Sequence, residues 1–145
     1  MTTETFVVAY EGGDGDSSLI DYAIERAKKD GAQLLLVHIL EWSPYSFLTP
    51  QELEERKQRR AEELERAKSA VLDPAMEKVK AAGIAVDCRL KFGNVVELIA
   101  EIAAQEDAAM IFVGRAGSQS MAARVFGSVP IGLAQVAPVP TVIVP

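Results

Sequence analysis

Residues 6–39, FVVAYEGGDGDSSLIDYAIERAKKDGAQLLLVHI, carry the reading on which the fold turns. Phe6–Tyr10 is a short apolar run centred on two valines and reads as a strand. Ser17–Lys29 then spaces Ile20, Ala23, Ile24 and Ala27 as one helical face, with Gly31 placed to close the helix. Leu34–Ile39 returns to a strand-length apolar run.

The same alternation continues outward along the chain. Thr49-Pro50-Gln51-Glu52 sets a capping hydroxyl, a first-turn proline and a capping-box glutamate in order, and predicts a helix start. The helical pattern runs to Ala82, with Gly83 as terminator. Pro74 must interrupt it, because an interior proline removes one hydrogen bond and clashes with the preceding turn. Asp73 is a residue type able to cap a restarted segment, so a kink or two helices is expected. Ile84–Leu90 reads as the third strand, Asn94 as the cap of a helix over Val95–Ala104, and Ala109–Val113 as the fourth strand. Ser128–Gln135 opens a last helix before the strand Thr141–Val144. Five strands alternating with helices indicate an α/β fold, a parallel sheet covered on both faces. Periodicity leaves the strand order open. In such sheets ligands sit beyond the carboxyl ends of the strands, where the order reverses, so the loops after Tyr10, Ile39 and Val113 are the candidate sites.

A chain of 145 residues fits one domain, taken as residues 1–145, and its 49% hydrophobic and 25% charged residues are the balance of a globular protein. No apolar run approaches a membrane span, and Met1 to Glu4 lacks the layout of a secretory signal, so the expectation is a cytoplasmic protein. The net charge of −6, with both signs mixed from Glu52 to Lys68, argues against nucleic acid, whose phosphates need a basic face. The Glu52–Glu65 run reads as a solvated helix face, with a partner surface as the sharper alternative. Cys88 is the one cysteine and reads as a buried, inert thiol. One His and one Cys are too few for a zinc site. His38, between Val37 and Ile39, reads as a satisfied strand-end histidine rather than a catalytic base.

Two glycine clusters compete for a phosphate. Gly12-Gly13-Asp14-Gly15-Asp16-Ser17-Ser18 imitates a dinucleotide fingerprint, but Ser18 stands where the last glycine belongs and two aspartates would repel a pyrophosphate. A turn ending in a helix cap is the better reading. The second cluster starts at Gly114, directly after a strand, with Gly117 three residues on and Gly127-Ser128 after nine more. Glycines there let backbone approach a ligand, and the helix start at Gly127-Ser128 offers N–H groups without intrahelical partners. Gly127, Ser128 and Val129 would donate, with Arg115 and Arg124 adding positive charge. Spacing alone leaves two readings open: a phosphate cradle, or a surface loop whose glycines serve turns.

The spacing Gly114-x-x-Gly117-x9-Gly127-Ser128 resembles the ATP-binding motif of the universal stress protein family at each specified position. The resemblance covers essentially the whole chain, including Val7–Tyr10 with Glu11-Gly12, Val37-His38-Ile39, Phe92-Gly93-Asn94 and the ending Pro138–Val144. It implies a Rossmann-like sheet of order 3-2-1-4-5 that binds an adenine nucleotide, ATP or AMP. By position, Ala9, Tyr10 and Glu11 would line the adenine and ribose side, with the Ile39 backbone reading adenine. Gly114, Arg115, Ala116 and Gly117 would form the loop, and Gly127, Ser128 and Val129 would take the phosphates. A magnesium ion would be held mainly by those phosphates; Glu11 and Asp14 themselves read as solvated carboxylates. The sequence departs from the family pattern at Glu11, where aspartate is usual, at Ala116, where histidine or arginine is frequent, and at Gly13, which replaces a common serine.

The resemblance implies a nucleotide-charged regulatory or sensor protein in stress response that acts on a protein partner. A slow ATPase and a nucleotide-free interaction protein are the alternatives; no positioned catalytic base stands out, and the intact motif disfavours the last. The family also implies a homodimer through Thr141–Val144. Gly117→Val should weaken ATP binding measured by calorimetry, since a β-branched side chain blocks both close approach and glycine-only dihedrals. Equal affinity in a folded variant would mean that the phosphate loop lies elsewhere.

Overall fold

The computed structural model describes residues 3–12, 16–40, 49–115 and 129–145. Its centre is β1, Thr5–Ala9, in which Phe6, Val7 and Val8 are wholly buried. Burial on both faces is why this strand reads as a continuous apolar run instead of alternating. It is flanked in parallel by β2 (Gln33–Leu40) on one side and β4 (Met110–Gly114) on the other. β3 (Val86–Phe92) adds to β2, and β5 (Thr141–Val144) adds to β4. The sheet is therefore five-stranded and parallel, ordered β3-β2-β1-β4-β5, as the family resemblance implied.

Two apolar layers cover the sheet. Phe6 and Val8 face α1 (Asp16–Asp30) and α3 (Asp73–Ala81), in a cluster with Leu19, Leu72 and Val79. Phe6 and Phe112 tilt against each other at 5.3 Å between ring centroids, a pairing that adds ~0.5–1.5 kcal/mol beyond buried area. Val7 and Ala9 face the other way, toward α4 (Val95–Gln105) and α5 (Val129–Val136), with Ile99, Ile102 and Leu133. Strands and helices fall within two residues of the expected bounds. β1 and α1 each begin one residue early, whereas β3 starts and ends two residues late.

The long helical stretch resolves into three parts. α2 (Pro50–Arg66) starts as its cap predicts, with the Thr49 hydroxyl accepting from Glu52 N at 3.2 Å. A π-helical turn, Ala67–Leu72, then leads into α3. Pro74 has no N–H to donate and its ring crowds the carbonyl four residues back. The chain answers by widening the preceding turn, so that Asp73 N–H reaches Lys68 O, five residues back. The expected interruption is thus present as two helices joined by a widened turn, but Asp73 is itself helical and does not cap the second. α2 buries no residue, in keeping with its charge-rich sequence.

Cys88 is half-buried on edge strand β3, not fully enclosed. Burial, with Asp87 and Asp73 nearby, still pushes its thiol pKa up, away from a reactive thiolate. No helix among the described residues is long and apolar enough to cross a membrane.

α4 and α5 approach closely at Gly132, where an added Cβ would lie 2.7 Å from Val96 Cγ2. Overpacking costs ~1–3 kcal/mol, against ~1 kcal/mol gained in helix propensity by Gly→Ala. Gly132→Ala should therefore be more favourable by ~1–2 kcal/mol in a Val96→Ala background than alone, read by urea unfolding. Additive effects would mean that the contact does not limit the helix separation.

Candidate functional site

The helices after β1 and β2 lie on one face of the sheet, and those after β3 and β4 on the other. The strand order reverses between β1 and β4, and their carboxyl ends stand level, Ala9 opposite Val113 on one side and Val37 on the other. A crevice at such a crossing is where open α/β sheets take ligands.

The segment leaving β1 is held by polar groups rather than by apolar packing alone. Tyr10 N donates to Val37 O at 2.9 Å. His38 Nδ1 lies 2.7 Å from Tyr10 O. A carbonyl only accepts, so Nδ1 carries the proton in this bond. Asp16, the first residue of α1, turns its carboxylate back into the loop: Oδ2 accepts from Glu11 N at 2.6 Å and from Gly12 N at 2.7 Å. Asp16 is 7% exposed and His38 is 8% exposed, and they are the buried polar side chains among the described residues. Both act on the three consecutive residues 10–12. Gly12 has φ +83° and a Cβ there would meet Val71 Cγ1 at 2.7 Å, so the position requires glycine twice over.

The other wall is the end of β4. Gly114 pairs with Val144, and Arg115 N donates to Val144 O at 2.9 Å. A Cβ on Gly114 would stand 3.4 Å from Asp16 Oδ1, so the aspartate sits between the β1 loop and the first glycine of the motif.

The sequence-predicted residues distribute as follows around this crossing. Ala9 and Ile39 are buried in the layer facing α4 and α5, which leaves their backbone at the strand ends. The Tyr10 ring packs on the opposite layer, with α1 and α3. Its phenol pKa is raised by burial first, then by the Asp16 charge, while Lys78 opposes the rise. Glu11 is exposed, as is Arg115, and Val129 begins α5. Ala116, Gly117, Arg124, Gly127 and Ser128 lie outside the described residues, as do Gly13 and Asp14.

Asp16 has a role that the sequence does not disclose: it supplies an internal anion that occupies the Glu11 and Gly12 N–H groups, which agrees with reading the first glycine cluster as a turn and not as a pyrophosphate site. The signal present was its type alone, since an aspartate directly before Ser17-Ser18 at a helix start is a capping residue type.

Fold and crossing define an open, doubly wound parallel α/β protein with its topological switch point between β1 and β4. The model of the universal stress protein family matches residues 2–145, and the chain belongs to that family. Universal stress protein UspA from Lactobacillus plantarum is similar with a TM-score of 0.85 at 18% identity, over 100% of this chain and 99% of that one. A universal stress protein solved in complex with cAMP gives 0.71 at 25% identity, over 100% and 98%. One from Archaeoglobus fulgidus in complex with dAMP gives 0.62 at 18%, over 99% and 98%. No curated protein matches in sequence.

Proposed function

We propose that this protein binds an adenine nucleotide, ATP or AMP, in the crevice between β1 and β4, and acts as a regulatory or sensor protein through protein contacts. The observation that carries the reading is the conjunction of the complete Gly114/Gly117/Gly127-Ser128 spacing with a β4 that ends at Gly114, level with the β1 loop. Similar proteins solved with cAMP and with dAMP support an adenine ligand. Ribose would lie toward Glu11, adenine toward the Ile39 backbone, and phosphates along Gly117, Gly127, Ser128 and Val129, with Arg115 and Arg124 nearby. The β1–α1 turn suits the ribose end rather than the phosphate end, because its Glu11 and Gly12 N–H groups are already taken by Asp16. His38 Nδ1 is committed to Tyr10 O, which favours binding over dedicated catalysis. Native mass spectrometry of freshly purified protein should show a retained mass of AMP, ADP or ATP. Absence of any adduct, together with no ATP binding by calorimetry, would overturn the reading.

A homodimer through β5 belongs to the same proposal. The two edges of the sheet differ: β3 carries Asp87, Arg89 and Lys91, with Arg89 paired to Asp87 and Glu106. β5 is uncharged, and Ile143, with Ile131 and Val136 on α5, is about half exposed. Charges protect an edge from pairing, and their lack on β5 leaves it open to a second copy. Ile111 N bonds Pro140 O and Arg115 N bonds Val144 O, so by alternation Ile143 turns its own N–H outward. Ile143→Pro removes that donor and should convert a dimer to a monomer in sedimentation at micromolar concentration. A folded wild-type monomer under those conditions would exclude the dimer.

A further inference from the structure

Burying a polar side chain is costly unless it is bonded, so a core keeps one where it holds something in place. Among the described residues the buried polar side chains, Asp16 and His38, converge on residues 10–12. His38 fixes the Tyr10 carbonyl from β2, and Asp16 fixes the next two N–H groups from α1. The Asp16 bonds, at 2.6 and 2.7 Å, are the short, charge-assisted kind. The same carboxylate reaches toward Gly114 with its other oxygen. Glu11 lies in the middle of the clamped segment and is exposed to solvent. A glutamate on a glycine-rich turn would otherwise sample many directions, and the ligand would then bear the entropy of ordering it.

We propose that Asp16 is a positioning residue: it holds the backbone of Glu11 so that this side chain is preset toward the ribose. The assignment rests on the nucleotide reading above and adds to it a residue that touches the loop rather than the ligand. It accounts for a buried carboxylate at the first position of α1 whose bonds go back to the loop and not to the helix.

The test is a double-mutant cycle on the full chain, with AMP affinity read by calorimetry and folding checked by circular dichroism. Asp16→Asn keeps an acceptor oxygen but loses the charge, and should weaken AMP by about five- to tenfold. In a Glu11→Ala background the same change should cost less than about twofold, because the side chain it positions is gone. Asp16→Ser, with a shorter reach, repeats the cycle if the asparagine variant does not fold. Equal losses in both backgrounds would reduce Asp16 to a purely structural tie and overturn the proposal, as would unchanged affinity in the Asp16 variants. Failure of the wild-type protein to bind AMP or ATP would instead overturn the nucleotide reading, and this assignment with it.

Discussion

β1 has no solvent-facing side and no free edge. Phe6, Val7 and Val8 are wholly buried, and the strand is hydrogen-bonded to β2 on one side and β4 on the other. A strand in that position demands helices on both faces, because each face presents apolar side chains that water would otherwise meet. α1 and α3 cover one, α4 and α5 the other. The switch in direction between the two halves of the chain must then fall beside β1. The switch point at the ends of β1 and β4 follows from this one constraint, and the loop leaving β1 is forced to lie beside it.

That loop cannot be stabilised as the strand is. Beyond Ala9 the ladder ends, and each backbone polar group needs a new partner. The partners come from three elements: Val37 O, His38 Nδ1 and the Asp16 carboxylate. An aspartate at the start of α1 also lies favourably in the field of the helix terminus, typically ~0.3–1 kcal/mol. One side chain thus closes a turn from the first position of a helix and stands beside Gly114. The neighbouring π-helical turn joins this arrangement through Val71, packed against the Cα of Gly12. The backbone adjustment forced by Pro74 therefore sits next to the loop leaving β1, while α2 before it buries no residue.

The contrast between the sheet edges has the same origin in local chemistry. β3 is accessible on its outer side and pairs its charges, Asp87 and Arg89, with each other and with Glu106. β5 is four residues long, uncharged and bounded by Pro140 and Pro145, which confine any pairing of that edge to a short stretch.

Much of the fold was legible in the sequence, because strand and helix periodicities are local and this chain is consistent in them. The Thr49 cap, the Asn94 cap, the apolar face of α1 and the buried run of β1 each followed from residues a few positions apart. The glycine spacing from Gly114 to Ser128 was likewise legible, and it pointed to the end of β4 as a wall of the crevice. The order of strands was not legible from periodicity, since β1 and β4 meet across about a hundred intervening residues and no local pattern encodes a long-range pairing. Nor was the role of Asp16: as a residue type it was both a repulsive charge and a cap. Only the tertiary structure showed where its carboxylate goes, burying it against the N–H groups of Glu11 and Gly12, the latter at positive φ. The direction of a side chain at a crossing depends on what both crossing elements present to it, and that information exists only once they are packed.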